Sequence, residues 1–336
     1  MRCAVIVDGN VVATDRPEPE PGPGEVLLRV AGAGLNRADL VQRAGFYPAP
    51  PGSPADIPGL EFSGTVVARG PLRPREADHG LHAGDRVFGV AGGGAQAEQL
   101  VVPGAHCARV PDSLDLLVAG GVPEVFVTAH DAMVTRAAVQ PGDWVLIHAV
   151  GSGVGTAAVQ LATAFGARTI GTARSADKLD RCKELGLTHG IVAPRDGDGA
   201  LDTTALASAV VDATDGHGAD VTLDLVGGPY FEVDTAAAAL LGRIVMIGAM
   251  AGGDARFDQM RVMQRRLSVF GTMLRNRDLE EKAAATAAFE RDVVPLLASG
   301  AVSPVIEATL PLARVSEAYD RLASDATFGK LVLDCE

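Results

Sequence analysis

The sequence predicts an α/β protein: a doubly wound parallel sheet with helices on both faces, joined to a second, β-rich domain. Three observations carry this. Residues 142–166, GDWVLIHAVGSGVGTAAVQLATAFG, run a strand into a glycine turn and then a helix. Residues 118–300 keep a regular alternation of strand and helix, the pattern of right-handed crossovers. Residues 1–118 instead read as short strands between proline and glycine turns, and strand character returns after residue 301. The expected division is a discontinuous β-rich domain of residues 1–118 and 301–336, and a parallel-sheet domain of residues 119–300.

In the β-rich part, strands are expected at 2–7, 25–33, 63–69, 86–90 and 98–102. Pro21-Gly22-Pro23-Gly24, Pro50-Pro51-Gly52 and Ala83-Gly84-Asp85 punctuate them, because proline and glycine supply the dihedrals that turns need. The sheet domain opens with the apolar run 144–149, short enough for a buried parallel strand. A helix follows from Thr156, with Ala157, Ala158, Leu161, Ala162 and Phe165 at helical spacing. Further strands are expected at 168–173, 220–225, 243–247 and 267–271, and helices at 176–185, 201–213, 230–241 and 278–298. Strands at 305–310 and 330–333 around a short helix close the chain.

The glycine turn is the first functional signal. Gly151, Gly153 and Gly155 would let the backbone turn tightly and approach a ligand, and the following helix would present free N–H groups and a positive dipole end to a pyrophosphate. The strict Rossmann fingerprint G-x-G-x-x-G is not met, since its third glycine falls on Thr156. The strand–turn–helix setting supports a dinucleotide site; a plain connection would use the same residues. An NAD site carries an acid at the end of the second strand. Here Gly171-Thr172-Ala173-Arg174-Ser175 has none, and Arg174, Ser175 and Lys178 offer two cations and a hydroxyl suited to the 2′-phosphate of NADPH. Asp177 stands among them as an opposing charge, and solvated charges at a helix start would look alike. The loops Val226-Gly227-Gly228 and Gly248-Ala249-Met250 fall at the same sheet edge, where ligands of parallel sheets bind.

In the β-rich domain, Asn36 follows a strand and Tyr47 lies eleven residues later, one of only three tyrosines. A phenol can protonate a developing oxyanion or enolate and an amide can hold a carbonyl or a ribose, although each residue is equally at home in a loop.

The net charge of −13 argues against nucleic acid, which demands a basic surface. Apolar runs stop well short of the roughly 20 residues a membrane helix needs, so no membrane partner and a cytoplasmic location are expected. Cys3, Cys107, Cys182 and Cys335 have no paired spacing, which points to reduced thiols and to no local metal knuckle.

Taken together, Asn36-Arg37-Ala38-Asp39-Leu40 with Gln42-Arg43 and Tyr47, Gly59-Leu60-Glu61-Phe62-Ser63-Gly64, Ala83-Gly84-Asp85-Arg86-Val87, Pro123-Glu124 with Thr128-Ala129, the glycine-turn segment and Gly329-Lys330-Leu331-Val332 resemble the zinc-independent quinone oxidoreductases of the medium-chain dehydrogenase/reductase superfamily. The likeness spans nearly the whole chain and is nearest to the tumour-suppressor-inducible quinone oxidoreductase group. It implies a GroES-like catalytic domain, a Rossmann domain, NADPH as cofactor, a quinone or enone substrate and a homodimer paired through its sheet edges. Asn36 and Leu60 stand where zinc-dependent relatives place a Cys and a His, so no metal is expected. The resemblance puts Asn36 and Tyr47 beside nicotinamide and substrate, Thr128 near the carboxamide, and Ser152, Gly153 and Val154 on the pyrophosphate. Ser175 and Lys178 would take the 2′-phosphate, with Lys330 a further cofactor contact. One departure is Ala193, where relatives carry a tyrosine at the adenosine phosphate. The expected activity is NADPH-dependent quinone reduction. Reduction of enoyl thioesters or alkenals uses the same parts, and a non-catalytic NADPH-binding protein is the reading from another class.

Overall fold

The computed structural model describes residues 1–73 and 79–336. Two units form, Met1–Val127 with Leu274–Glu336, and Thr128–Met273. Along the first part of unit 1 run β1 (Arg2–Val7), β2 (Asn10–Asp15), β3 (Glu25–Gly34), α1 (Arg37–Arg43), β4 (Glu61–Arg69), β5 (Arg86–Val90), β6 (Gln99–Pro103), β7 (Cys107–Arg109) and α2 (Leu116–Ala119). Helix α3 (Pro123–His130) straddles the boundary. Unit 2 holds β8 (Trp144–Ile147), α4 (Gly153–Ala164), β9 (Arg168–Ala173), α5 (Ala176–Lys183), β10 (His189–Val192), α6 (Thr203–Asp212), β11 (Ala219–Asp224), α7 (Tyr230–Ala237), β12 (Ala238–Met246), α8 (Gln259–Arg265) and β13 (Ser268–Gly271). The chain returns to unit 1 with α9 (Leu279–Asp292), α10 (Val294–Ala298), β14 (Ile306–Pro311), α11 (Val315–Ala323) and β15 (Lys330–Asp334).

In unit 1, β14-β15-β3-β4-β5-β7 make a sheet to which β6 adds by pairing with β3, and β1 and β2 form a separate hairpin. Along β3 the buried and less buried residues alternate at first, and beyond Val30 every residue is buried as the strand enters the core. That core gathers Leu28, Val30, Phe62, Val87 and Leu331 with Tyr319 of α11. In unit 2 the order is β10-β9-β8-β11-β12-β13, and all the pairings are parallel. All four residues of β8 are buried, as an apolar run covered on both faces requires.

The division differs from the expected one. Residues 274–300 pack in unit 1, because α9 turns Phe289 onto Phe88 of β5, with ring centroids 5.3 Å apart, and buries Lys282 and Thr286 on the same face. A helix-period pattern shows that α9 exists and not which sheet it covers. Helix 230–241 also ends earlier than expected, at Ala237, where Ala238 turns extended and β12 begins. Strand β10 and helix α8 were absent from the expected elements. Both are short and exposed, so neither carries a strong apolar period. Among the described residues no helix is long and apolar enough to cross a membrane.

Candidate active site

Because the strands of unit 2 all run one way, the loops after β8, β9, β11 and β12 meet at one edge, and the order reverses between β8 and β11. Of the residues expected to hold a cofactor, Gly151, Ser152, Gly153, Val154, Arg174, Ser175, Lys178, Val226 and Gly248 lie here. After β8, Ala149 takes the left-handed turn conformation (φ +48°), and Ser152 caps α4 by accepting the Gly155 N–H at 3.1 Å. The N–H groups of Gly153 and Val154 in the first turn have no acceptor within the helix. Gly155 allows close packing: a Cβ there would lie 2.5 Å from the Val150 carbonyl oxygen. The positive φ therefore falls on an alanine, whereas Gly155 is needed for space.

At the end of β9, Arg174 and Ser175 are exposed and Lys178 is half-buried in the first turn of α5, with exposed Asp177 between them. Val226 and Gly227 both donate N–H to Asp224 Oδ1 at 2.8 Å, which shapes the turn after β11. Gly248 sits so close to that turn that a Cβ would lie 2.5 Å from Leu225 O. Open helix-end N–H groups, glycine-limited approaches and a basic patch at the switch point fit a dinucleotide. Thr128 is half-buried in α3, and among the described residues no hydrogen bond ties it to this edge. His148 is fully buried and structural, held by Thr172 Oγ1 at 2.8 Å and Asp234 Oδ1 at 2.7 Å.

In unit 1 the Asn36 amide is locked in a polar network. Its Nδ2 donates to Glu61 Oε1 at 3.0 Å, its Oδ1 accepts from Lys330 Nζ at 2.7 Å, and its backbone N–H donates to Asp39 Oδ2 at 2.7 Å. Lys330 forms a buried ion pair with Glu61 at 2.6 Å and also donates to the Leu35 carbonyl. The Lys330 ammonium donors are thus taken up within unit 1, where Lys330 orients Asn36. The other Glu61 oxygen accepts the Glu124 N–H at 2.9 Å.

Tyr47 is half-buried, and its ring lies under the Arg275 guanidinium, 4.6 Å from ring centroid to Cζ. Burial raises the phenol's pKa and Glu124 adds to this, while Arg275 opposes it. Burial, reinforced by Glu61, pushes the Glu124 carboxyl up to about 8, against the pull of Lys330, so at neutral pH it is mostly the acid. Asp39 is raised to about 6, chiefly by burial. Sequence reasoning missed Arg275. It sits far along the chain in Leu274-Arg275-Asn276-Arg277, where it reads as an ordinary surface cation.

Comparison with known proteins identifies the family. Residues 22–112 match the family model described as an alcohol dehydrogenase GroES-like domain, and residues 153–289 match that of a zinc-binding dehydrogenase. A quinone oxidoreductase-like protein 2 homolog of Nematostella vectensis is 30% identical over 93% of this chain and 82% of its own length. Among solved structures, a mycobacterial protein in complex with NADPH is 29% identical, with a TM-score of 0.85 over 99% of both chains. An NAD-dependent alcohol dehydrogenase is 33% identical, with a TM-score of 0.82 over 99% of both chains. The chain belongs to the zinc-independent branch of the medium-chain dehydrogenase/reductase superfamily. The residues of this oxidoreductase do not fit a catalytic zinc. Leu60 offers only hydrocarbon, and the Glu61 oxygens already receive Lys330, Asn36 and the Glu124 N–H. The unit 2 edge of the oxidoreductase suits a pyridine nucleotide, as in the neighbours solved as an NADPH complex and an NAD-dependent enzyme.

Proposed function

We propose that this reductase uses NADPH to reduce a quinone without a metal. The observation that carries the reading is Tyr47, a half-buried phenol set on a guanidinium in a unit whose zinc-ligand positions hold Asn36 and Leu60. Arg174, Ser175 and Lys178 would take the 2′-phosphate, and the N–H groups of Gly153 and Val154, next to Gly151 and Ser152, the pyrophosphate. Val226 and Gly248 would border the nucleotide from the neighbouring loops. The nicotinamide, when bound, supplies the hydride. Tyr47 gives its proton to the reduced quinone oxygen and regains one from water, while Asn36, held by Glu61 and Lys330, flanks the acceptor. Hydride plus proton accounts for the two electrons and the charge of a quinone-to-hydroquinone step.

NADPH oxidation over a panel of benzoquinones and phenanthrenequinones, beside a panel of enoyl thioesters and alkenals, tests this. Quinone turnover that survives EDTA is the expected result. Loss with EDTA would sink the metal-free mechanism, and turnover of the enoyl panel alone would move the acceptor to activated double bonds.

A further inference from the structure

We propose that Arg275 is the positioning residue of Tyr47: it fixes the phenol in its proton-donating pose through the ring face and the backbone at once. This rests on the proposed role of Tyr47. Arg275 is only 3% exposed, an unfavourable place for a cation unless its donors are satisfied. Three of its five N–H donors find acceptors, each on a different segment. Nε donates to Gly92 O at 2.8 Å, Nη1 to Tyr47 O at 2.9 Å and Nη2 to Gln42 Oε1 at 2.7 Å. The end of α1, the Tyr47 loop and the loop after β5 are thereby fastened to one planar group. The fork geometry suits arginine, because a lysine has no rigid plane to meet three divergent acceptors.

None of those acceptors is a carboxylate, and among the described residues no ion pair of Arg275 is found. The ring of Tyr47 lies across it at 4.6 Å, and the cation favours the phenolate while burial and Glu124 oppose it. Arg275 thus acts on both the place and the acidity of the phenol.

The experiment is a double-mutant cycle on the holoenzyme with NADPH and a turned-over quinone, using wild type, Arg275→Met, Tyr47→Phe and the double variant. Arg275→Met should lower kcat about 10- to 100-fold with the KM for NADPH unchanged. The alkaline limb of its pH profile should move upward, and the double variant should be no slower than Tyr47→Phe. Losses that add across the cycle would overturn the proposal. If Arg275→Met fails to fold, Arg275→Lys replaces it, with the same non-additivity expected. If wild type reduces no acceptor, the quinone reading fails, and positioning is read instead from tyrosinate absorbance. Wild type minus Tyr47→Phe isolates one phenol of three. Its midpoint should rise on removal of the Arg275 guanidinium, and an unmoved midpoint would refute the coupling.

Discussion

Glu124 has a strongly raised pKa, because burial and the neighbouring Glu61 disfavour its charge, against the opposing pull of Lys330 and Lys282. Its pKa rises from 4.5 to about 8 on folding, so the folded chain holds a proton that the unfolded chain releases within that window. The stabilisation is complete below 4.5 and is lost as pH climbs toward 8. Wild type should therefore lose thermal stability relative to Glu124→Gln over that range, and parallel melting curves would contradict this. For the cofactor, a charge-assisted hydrogen bond contributes about 1.5–3 kcal/mol, so Arg174→Ala with Lys178→Ala should raise the KM for NADPH at least about tenfold. NADH has no 2′-phosphate, and its KM should stay nearly constant. Equal effects on the two nucleotides would refute the basic patch as the selector.

The turn between β8 and α4 is built from steric limits more than from composition. Ser152 closes the helix start, Ala149 takes the left-handed turn, and Gly155 lets the helix approach the strand end. Replacing Gly155 by alanine would put a methyl 2.5 Å from Val150 O and 2.7 Å from Ala149 O, both backbone atoms that cannot step aside alone. The expected cost is about 1–3 kcal/mol of stability with weaker nucleotide binding, against the small gain alanine brings to an unconstrained helix. Chemical denaturation and nucleotide titration of Gly155→Ala check it; a stabilised variant that binds normally would show that the turn is not space-limited.

Unit 2 ends its sheet at β13, an edge strand where Val269 is 40% exposed, with Met263 of α8 at 62%. An exposed apolar edge is a pairing surface. The dimer implied by the family resemblance would use it, and we expect Val269→Lys to convert a dimer to a monomer in light scattering. A monomeric wild type would rule this interface out.

Local periodicity and turn chemistry made the parallel sheet, the glycine turn and the acid-free end of β9 readable in the chain, since each depends on neighbours within a few residues. Asn36, Tyr47 and the lack of zinc ligands were readable as residue types at motif positions. Three features depended on partners distant in sequence. Residues 274–300 join unit 1 because Phe289 meets Phe88. Lys330 serves Glu61 and Asn36, which lie nearly the whole chain away. Arg275 reaches Tyr47, Gln42 and Gly92 across a sequence gap that no local pattern spans. A buried cation takes its role from the acceptors that surround it, and only folding brings those acceptors together.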